Sequence, residues 1–129
     1  FITDNSKINR VIDEIKKNFD VERIKIQDKD PLGYSGTIIN IRDKNGFTSE
    51  IQINTPQMIY AKDENAKIIL GTELYNKIKA ATGLESGLGH KFYEKHRILN
   101  PNNADDRKLM TKIETESLDY YSKIKRAQI

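Results

Sequence analysis

Thr37-Ile38-Ile39-Asn40-Ile41-Arg42-Asp43-Lys44-Asn45-Gly46-Phe47-Thr48-Ser49-Glu50-Ile51-Gln52-Ile53-Asn54-Thr55 reads as two β-rich runs around a turn. Thr37 to Arg42 and Phe47 to Thr55 flank Asp43 to Gly46, and an Asn-Gly pair between such runs signals a hairpin. Side chains alternate across a sheet, so Phe47, Ser49, Ile51 and Ile53 share one face while Thr48, Glu50, Gln52 and Asn54 share the other. The first face reads as core and the second as chemistry or water. In an arbitrary protein such a polar row is by default a solvated face.

Upstream, Ile8, Val11, Ile12, Ile15 and Phe19 recur at helical spacing from Ser6 to Phe19, which predicts an amphipathic helix. Phe1 and Ile2, before the turn-like Thr3 to Ser6, fit the tail of a strand. Val21 to Ile26 reads as a further strand, and Gln27 to Gly33 as a loop. Downstream, Thr55-Pro56 is a helix start and predicts a helix to about Leu70. A second helical segment carries Leu74, Tyr75, Ile78 and Ala81 and ends near Gly83. Gly83, Gly87 and Gly89 make a flexible loop leading into His90 to Arg97. Asn100 to Asn103 breaks the chain before a long helix from about Ala104 to Arg126, whose apolar side is expected to be Leu109, Ile113, Leu118, Tyr121 and Ile124. The fold class expected is α+β, a mixed sheet with an antiparallel hairpin that packs helices on one face and opens its polar face.

With 129 residues the chain has the size of one domain. The 22 basic and 19 acidic side chains are interleaved, so the net charge of +3 announces no nucleic acid and remains compatible with a nucleotide ligand. Without cysteine there is no disulfide or thiolate metal site, and His90 and His96 alone make no histidine-rich zinc site. No apolar run approaches the roughly 20 residues of a membrane span.

The succession of Gly33-Tyr34-Ser35, the strand Glu50-Ile51-Gln52-Ile53-Asn54-Thr55 and a helix with Met58 and Ala61 resembles the synthetase domains of RelA/SpoT-type nucleotide pyrophosphokinases. Those domains carry G-Y-x-S-x-H, then E-x-Q-I-R-T on a strand, then a helix of M-x-x-x-A-E flavour. Gly89 to Lys95 resembles their A-H-x-x-Y-K segment, displaced by an insertion holding the helix around Leu74 to Ala81. Residues 1–98 thus read as the family-like part of a single domain, in a nucleotidyltransferase-like synthetase fold, and 99–129 as a C-terminal helical extension. Met58-Ile59-Tyr60-Ala61-Lys62 and Gly87-Leu88-Gly89-His90 look closer to members attached to phage structural proteins and polymorphic toxins than to the housekeeping enzymes.

The resemblance implies transfer of pyrophosphate from ATP to the 3′-hydroxyl of a purine nucleotide, as in (p)ppGpp-type alarmone synthesis, or to an RNA 3′ end. It implies a toxin acting in the cytoplasm and an antitoxin or immunity partner. Glu50 would hold Mg²⁺ or activate the attacking hydroxyl, and Tyr34 would stack on the acceptor base. Gln52 and Asn54 would orient ribose or phosphate, Arg23, Lys25, Lys29 and Arg42 would grip phosphates, and His90 would contact substrate. Two positions depart from the pattern: Ile38 stands where the family has His, and Asn54 where it has Arg. The family's metal-binding Asp and its cationic clusters for ATP are expected on elements before Phe1. The other readings are a catalytically degenerate nucleotide-binding or protein-interaction module of the same fold, and an RNA-binding fragment using the basic residues of the first and last helices.

Overall fold

The computed structural model describes residues 1–129, with the side chain of Asn5 left aside. Its sheet has three antiparallel strands in the order β1-β2-β3: β1 (Asp20–Gln27), β2 (Gly36–Arg42) and β3 (Thr48–Ile53). The β2–β3 turn is held by Asp43, whose carboxylate accepts from the amides of Asn45 (2.8 Å) and Phe47 (3.0 Å), so the expected hairpin forms with an Asx-type cap. β1 takes a bulge between Val21 and Arg23. Phe1 to Thr3 lie beside the end of β3, Ile2 forming a parallel bridge to Asn54, which agrees with the strand-tail reading.

The register fixes both faces. Ile24, Ile39 and Ile51 stand in one row and Ile26, Thr37 and Ile53 in the next, and this face is covered by α1 (Ile8–Asn18) through Ile12 and Ile15. The opposite face shows the rows Arg23, Asn40, Glu50 and Lys25, Ile38, Gln52. It stays open because its side chains are charged or amide, and their desolvation without partners would be costly.

A second core lies where β1 and β3 end and β2 begins. It is built by α2 (Pro56–Lys62), α3 (Ala66–Leu70), α4 (Thr72–Thr82), α5 (Leu88–Arg97) and α6 (Ala104–Lys125), around Met58, Tyr60, Ala61, Ile78, Tyr120, Tyr121 and Ile124. Thr55 caps α2 by accepting from the Met58 amide (3.2 Å), and Asn103 caps α6 by accepting from Asp105 and Asp106.

Two expectations need correction. The helix predicted from Pro56 to Leu70 is two, because Asp63 is extended (φ −98°, ψ 129°) and the backbone at Gly87 seats against the Asp63 carbonyl. The apolar side of α6 is Ile113, Ser117, Tyr120, Tyr121 and Ile124, while Leu109 and Leu118 are each 46% exposed. Positions 113, 117, 120, 121 and 124 follow the 3.6-residue period more closely than the purely apolar set, and a serine completes the stripe.

Candidate active site

The end of the open sheet face runs into a cleft of about 430 Å³. Gln27, Ile38 and Gln52 of the strands form its floor, Asp30, Leu32 and Tyr34 of the β1–β2 loop one wall, and Lys62, Asp63, Gly89, His90, Tyr93 and Tyr121 of the helices the other. Its lining joins aromatic surface to cationic and carboxylate groups, which suits a ligand with a flat ring and anionic substituents.

Tyr34 is the best-placed aromatic. Its hydroxyl donates to Asn54 Oδ1 (3.0 Å), its amide donates to Asp30 Oδ2 (3.2 Å), and Lys62 Nζ stands 5.3 Å from its ring centre. Both ends of the residue are therefore tethered while part of it stays accessible. Asn54 is buried, and its carbonyl oxygen holds the tyrosine hydroxyl. An arginine at that position would need room and a counter-charge that this packing does not supply.

Glu50 is exposed on the open face, one row along β3 from Gln52, and its Oε1 accepts from Gln52 Nε2 (2.8 Å). Gln52 lines the cleft and Glu50 does not, so the carboxylate sits just outside the lining, at its rim, linked to it through the Gln52 amide. Arg23 shares the row of Glu50, and Lys25 that of Gln52. Lys29 is exposed on the loop and is not among the cleft's lining residues. Arg42 shares the open face but is spent on Glu22 (2.6 Å), about 13 Å along β2 from Ile38 by strand rise. His90 does line the cleft, its Nε2 held 2.9 Å from Glu94 and 3.7 Å from Glu64. Ile38, at the family's His position, gives the floor an apolar patch.

The sequence reading had not singled out Lys62, Asp63, Asp30, Tyr93 or Tyr121 as cleft residues. Lys62 directly follows the Met58 to Ala61 segment and Tyr93 sits within the Gly89 to Lys95 segment, so both were in view. Tyr121 read as core, and burial does raise its phenol above the ordinary range. Gly87 and Gly89, expected in a flexible loop, instead allow close packing at the start of α5: a side chain on Gly89 would collide with the Tyr121 hydroxyl and, at 2.8 Å, the Ala61 carbonyl.

Among the described residues no group of three or more His, Asp or Glu side chains converges as a ready-made metal site. Mg²⁺ usually keeps several waters and takes only one or two protein carboxylates besides phosphate oxygens. The exposed Glu50 fits as one such ligand.

No protein-family model matches the chain. It is 35% identical over 127 residues, 97% of its length, to the (p)ppApp synthetase toxin Tas1 of Pseudomonas aeruginosa (strain UCBPP-PA14). The chain is a homologue of Tas1. It also superposes with a TM-score of 0.81 and 34% identity on a chain in the crystal structure of the complex between the type VI effector Tas1 and its immunity protein. That likeness covers 98% of this chain, so it takes in α6 as well as the strands. The chain spans 28% of the length of Tas1 and 64% of the matched crystal chain. The α+β fold and the RelA/SpoT-type, toxin-associated resemblance are thereby borne out.

Proposed function

We propose that this chain is the acceptor-side part of a pyrophosphokinase toxin that moves pyrophosphate from ATP to a purine nucleotide, and that its cleft takes the acceptor. The observation that carries this is the continuity of one surface: Glu50 at the rim, Gln52 on the floor and Tyr34 on the wall. Homology to a (p)ppApp synthetase toxin favours an adenine nucleotide as acceptor over the guanine nucleotide of (p)ppGpp synthesis.

In the reaction, the acceptor's 3′-oxygen bonds to the β-phosphorus of ATP and the bond from that phosphorus to the α,β-bridging oxygen breaks, so AMP leaves. The hydroxyl's proton passes to a base, and Glu50 is the carboxylate placed to accept it or to ligate Mg²⁺. Mg²⁺, held by Glu50 and the phosphates, would supply charge neutralisation. Tyr34 offers its ring to the purine, Gln52 hydrogen-bonds ribose, and Lys62 with Lys25 and Arg23 faces the phosphates. Because the proposed reaction consumes ATP, the cytoplasm is its proposed site of action. An immunity protein is the expected partner, as for the effector in the similar crystal structure.

Calorimetry with ADP, ATP, GDP and GTP tests the reading. Binding of the adenine nucleotides is expected, and a chain that binds none of the four has no acceptor site. Binding with no AMP released from ATP by the full-length protein would favour the degenerate module, which the changes at Ile38 and Asn54 make the second reading.

A further inference from the structure

The β1–β2 loop that presents Tyr34 has no regular structure of its own, and α6 fixes it from outside. Ser117, fully buried on α6, donates to the Leu32 carbonyl (2.6 Å), and Lys125, one helical face further on, donates to the Gly33 carbonyl (2.8 Å). These are consecutive peptide carbonyls, the second belonging to the peptide unit that carries the Tyr34 amide. Leu32 is buried at 7% exposure, and Gly33 has φ +93°, with a side chain there meeting Tyr121 and Leu118 at 3.2 Å. The loop therefore lies flat on α6 between Ser117 and Tyr121. On its other side it is tied to itself, through the Asp30 carbonyl (to the Gly33 amide, 2.9 Å) and the Asp30 carboxylate (to the Tyr34 amide, 3.2 Å), and to the end of β3 through the Tyr34 hydroxyl on Asn54 Oδ1 (3.0 Å).

We propose that Ser117 and Lys125 are positioning residues for the acceptor: by holding the Leu32 and Gly33 carbonyls on α6 they set where the Tyr34 ring stands over the cleft floor. This rests on the reading of the cleft as a nucleotide site. Lys125 stays exposed as a residue while its ammonium reaches in to the Gly33 carbonyl, where partial burial weakens the charged form and Asp30 opposes that. A methionine of similar length would reach the loop without offering a donor. What the ammonium adds at this place is its hydrogen bond to the Gly33 carbonyl. Preorganising an aromatic platform removes an ordering cost from ligand binding.

The test compares Lys125→Met, Lys125→Arg and Ser117→Ala with the parent chain, using ADP and GDP as probes in calorimetry, thermal melting, and hydrogen exchange at the Gly33 and Tyr34 amides without ligand. Lys123→Met, which removes an exposed ion pair with Asp119 on the same helix, is the control. Lys125→Met and Ser117→Ala are expected to weaken nucleotide binding about tenfold and to speed exchange at the two amides. Lys125→Arg should recover most of the affinity, and Lys123→Met should change neither. Variants that melt lower but bind nucleotide as the parent does show a purely structural role and overturn the proposal alone. A parent chain that binds neither nucleotide overturns it together with the acceptor-site reading.

Discussion

Glu50 and Tyr34 carry the chemistry at the scale of single residues, and each has a partner that makes its role separable. Glu50 is solvated and, among the described residues, its side chain bonds only to Gln52, so Glu50→Gln removes charge without disturbing packing. Turnover by the full-length protein is expected to fall by about 100-fold or more, the usual range for losing a proton acceptor or a metal ligand. Melting temperature should stay within about a degree and ADP affinity within about threefold, the surface change being small. Tyr34→Phe instead keeps the ring and strips the hydroxyl from the buried Asn54 oxygen. A loss of about 1–2 kcal/mol in denaturant unfolding is expected, with nucleotide affinity nearly retained, whereas Tyr34→Ala should lose both. Equal affinity for Tyr34→Ala and the parent would remove the tyrosine from the site. The Glu50 row could be read from alternation along one strand. Asn54 could not, because its hydroxyl partner comes from a loop 20 residues earlier.

Among the elements, the junction of α2, α5 and α6 sets the helical wall of the cleft. Gly89 lets α5 approach until the Tyr121 hydroxyl and the Ala61 carbonyl lie where a side chain would be. Because backbone and a buried tyrosine ring occupy that space, Gly89→Ala must push α5 away. We expect a cost of about 1–3 kcal/mol, typical of overpacking, together with weaker ADP binding, read by chemical denaturation and calorimetry. An unchanged midpoint would mean that the helices pack more loosely than this. Helix existence was legible in the sequence wherever apolar spacing and caps coincided, as at Thr55 and Asn103. The break at Asp63 was not, because it depends on Gly87 arriving from a distant segment.

The whole molecule has two cores, connected along the chain where β3 leads into α2 and bridged by the Tyr34 loop lying on α6, and the helical core is held around tyrosines whose titration reports its integrity. Burial raises the phenols of Tyr121 and Tyr120 well above the ordinary range, and that of Tyr60 in the same direction. In the unfolded chain these groups ionise near pH 10, as a free tyrosine does. The folded chain keeps its protons longer, so their contribution is intact below about pH 10 and is lost as pH rises toward the folded values. Melting temperature is expected to hold from about pH 7 to 9 and to drop above about 10, with Tyr120 and Tyr121 ionising only as the chain unfolds. If Tyr120 and Tyr121 titrate near pH 10 in the folded chain, the helical core is open to water.

Local rules in the sequence determined the hairpin, the pleat that puts Glu50 and Gln52 on one face, the helices and their caps, and the order of motifs that marks the RelA/SpoT-type resemblance. Each depends on spacing between near neighbours, which a strand or a helix turns directly into shared direction. Only the tertiary structure decided which cation lines the cleft: it is Lys62, while Arg23 and Lys25 stand on the adjoining open face and Lys29 and Arg42 lie away from the lining. It alone brought α6 onto the loop, since the bonds from Ser117 and Lys125 span 85 and 92 residues. Contacts at such separation follow from how whole elements pack, and no local pattern encodes them.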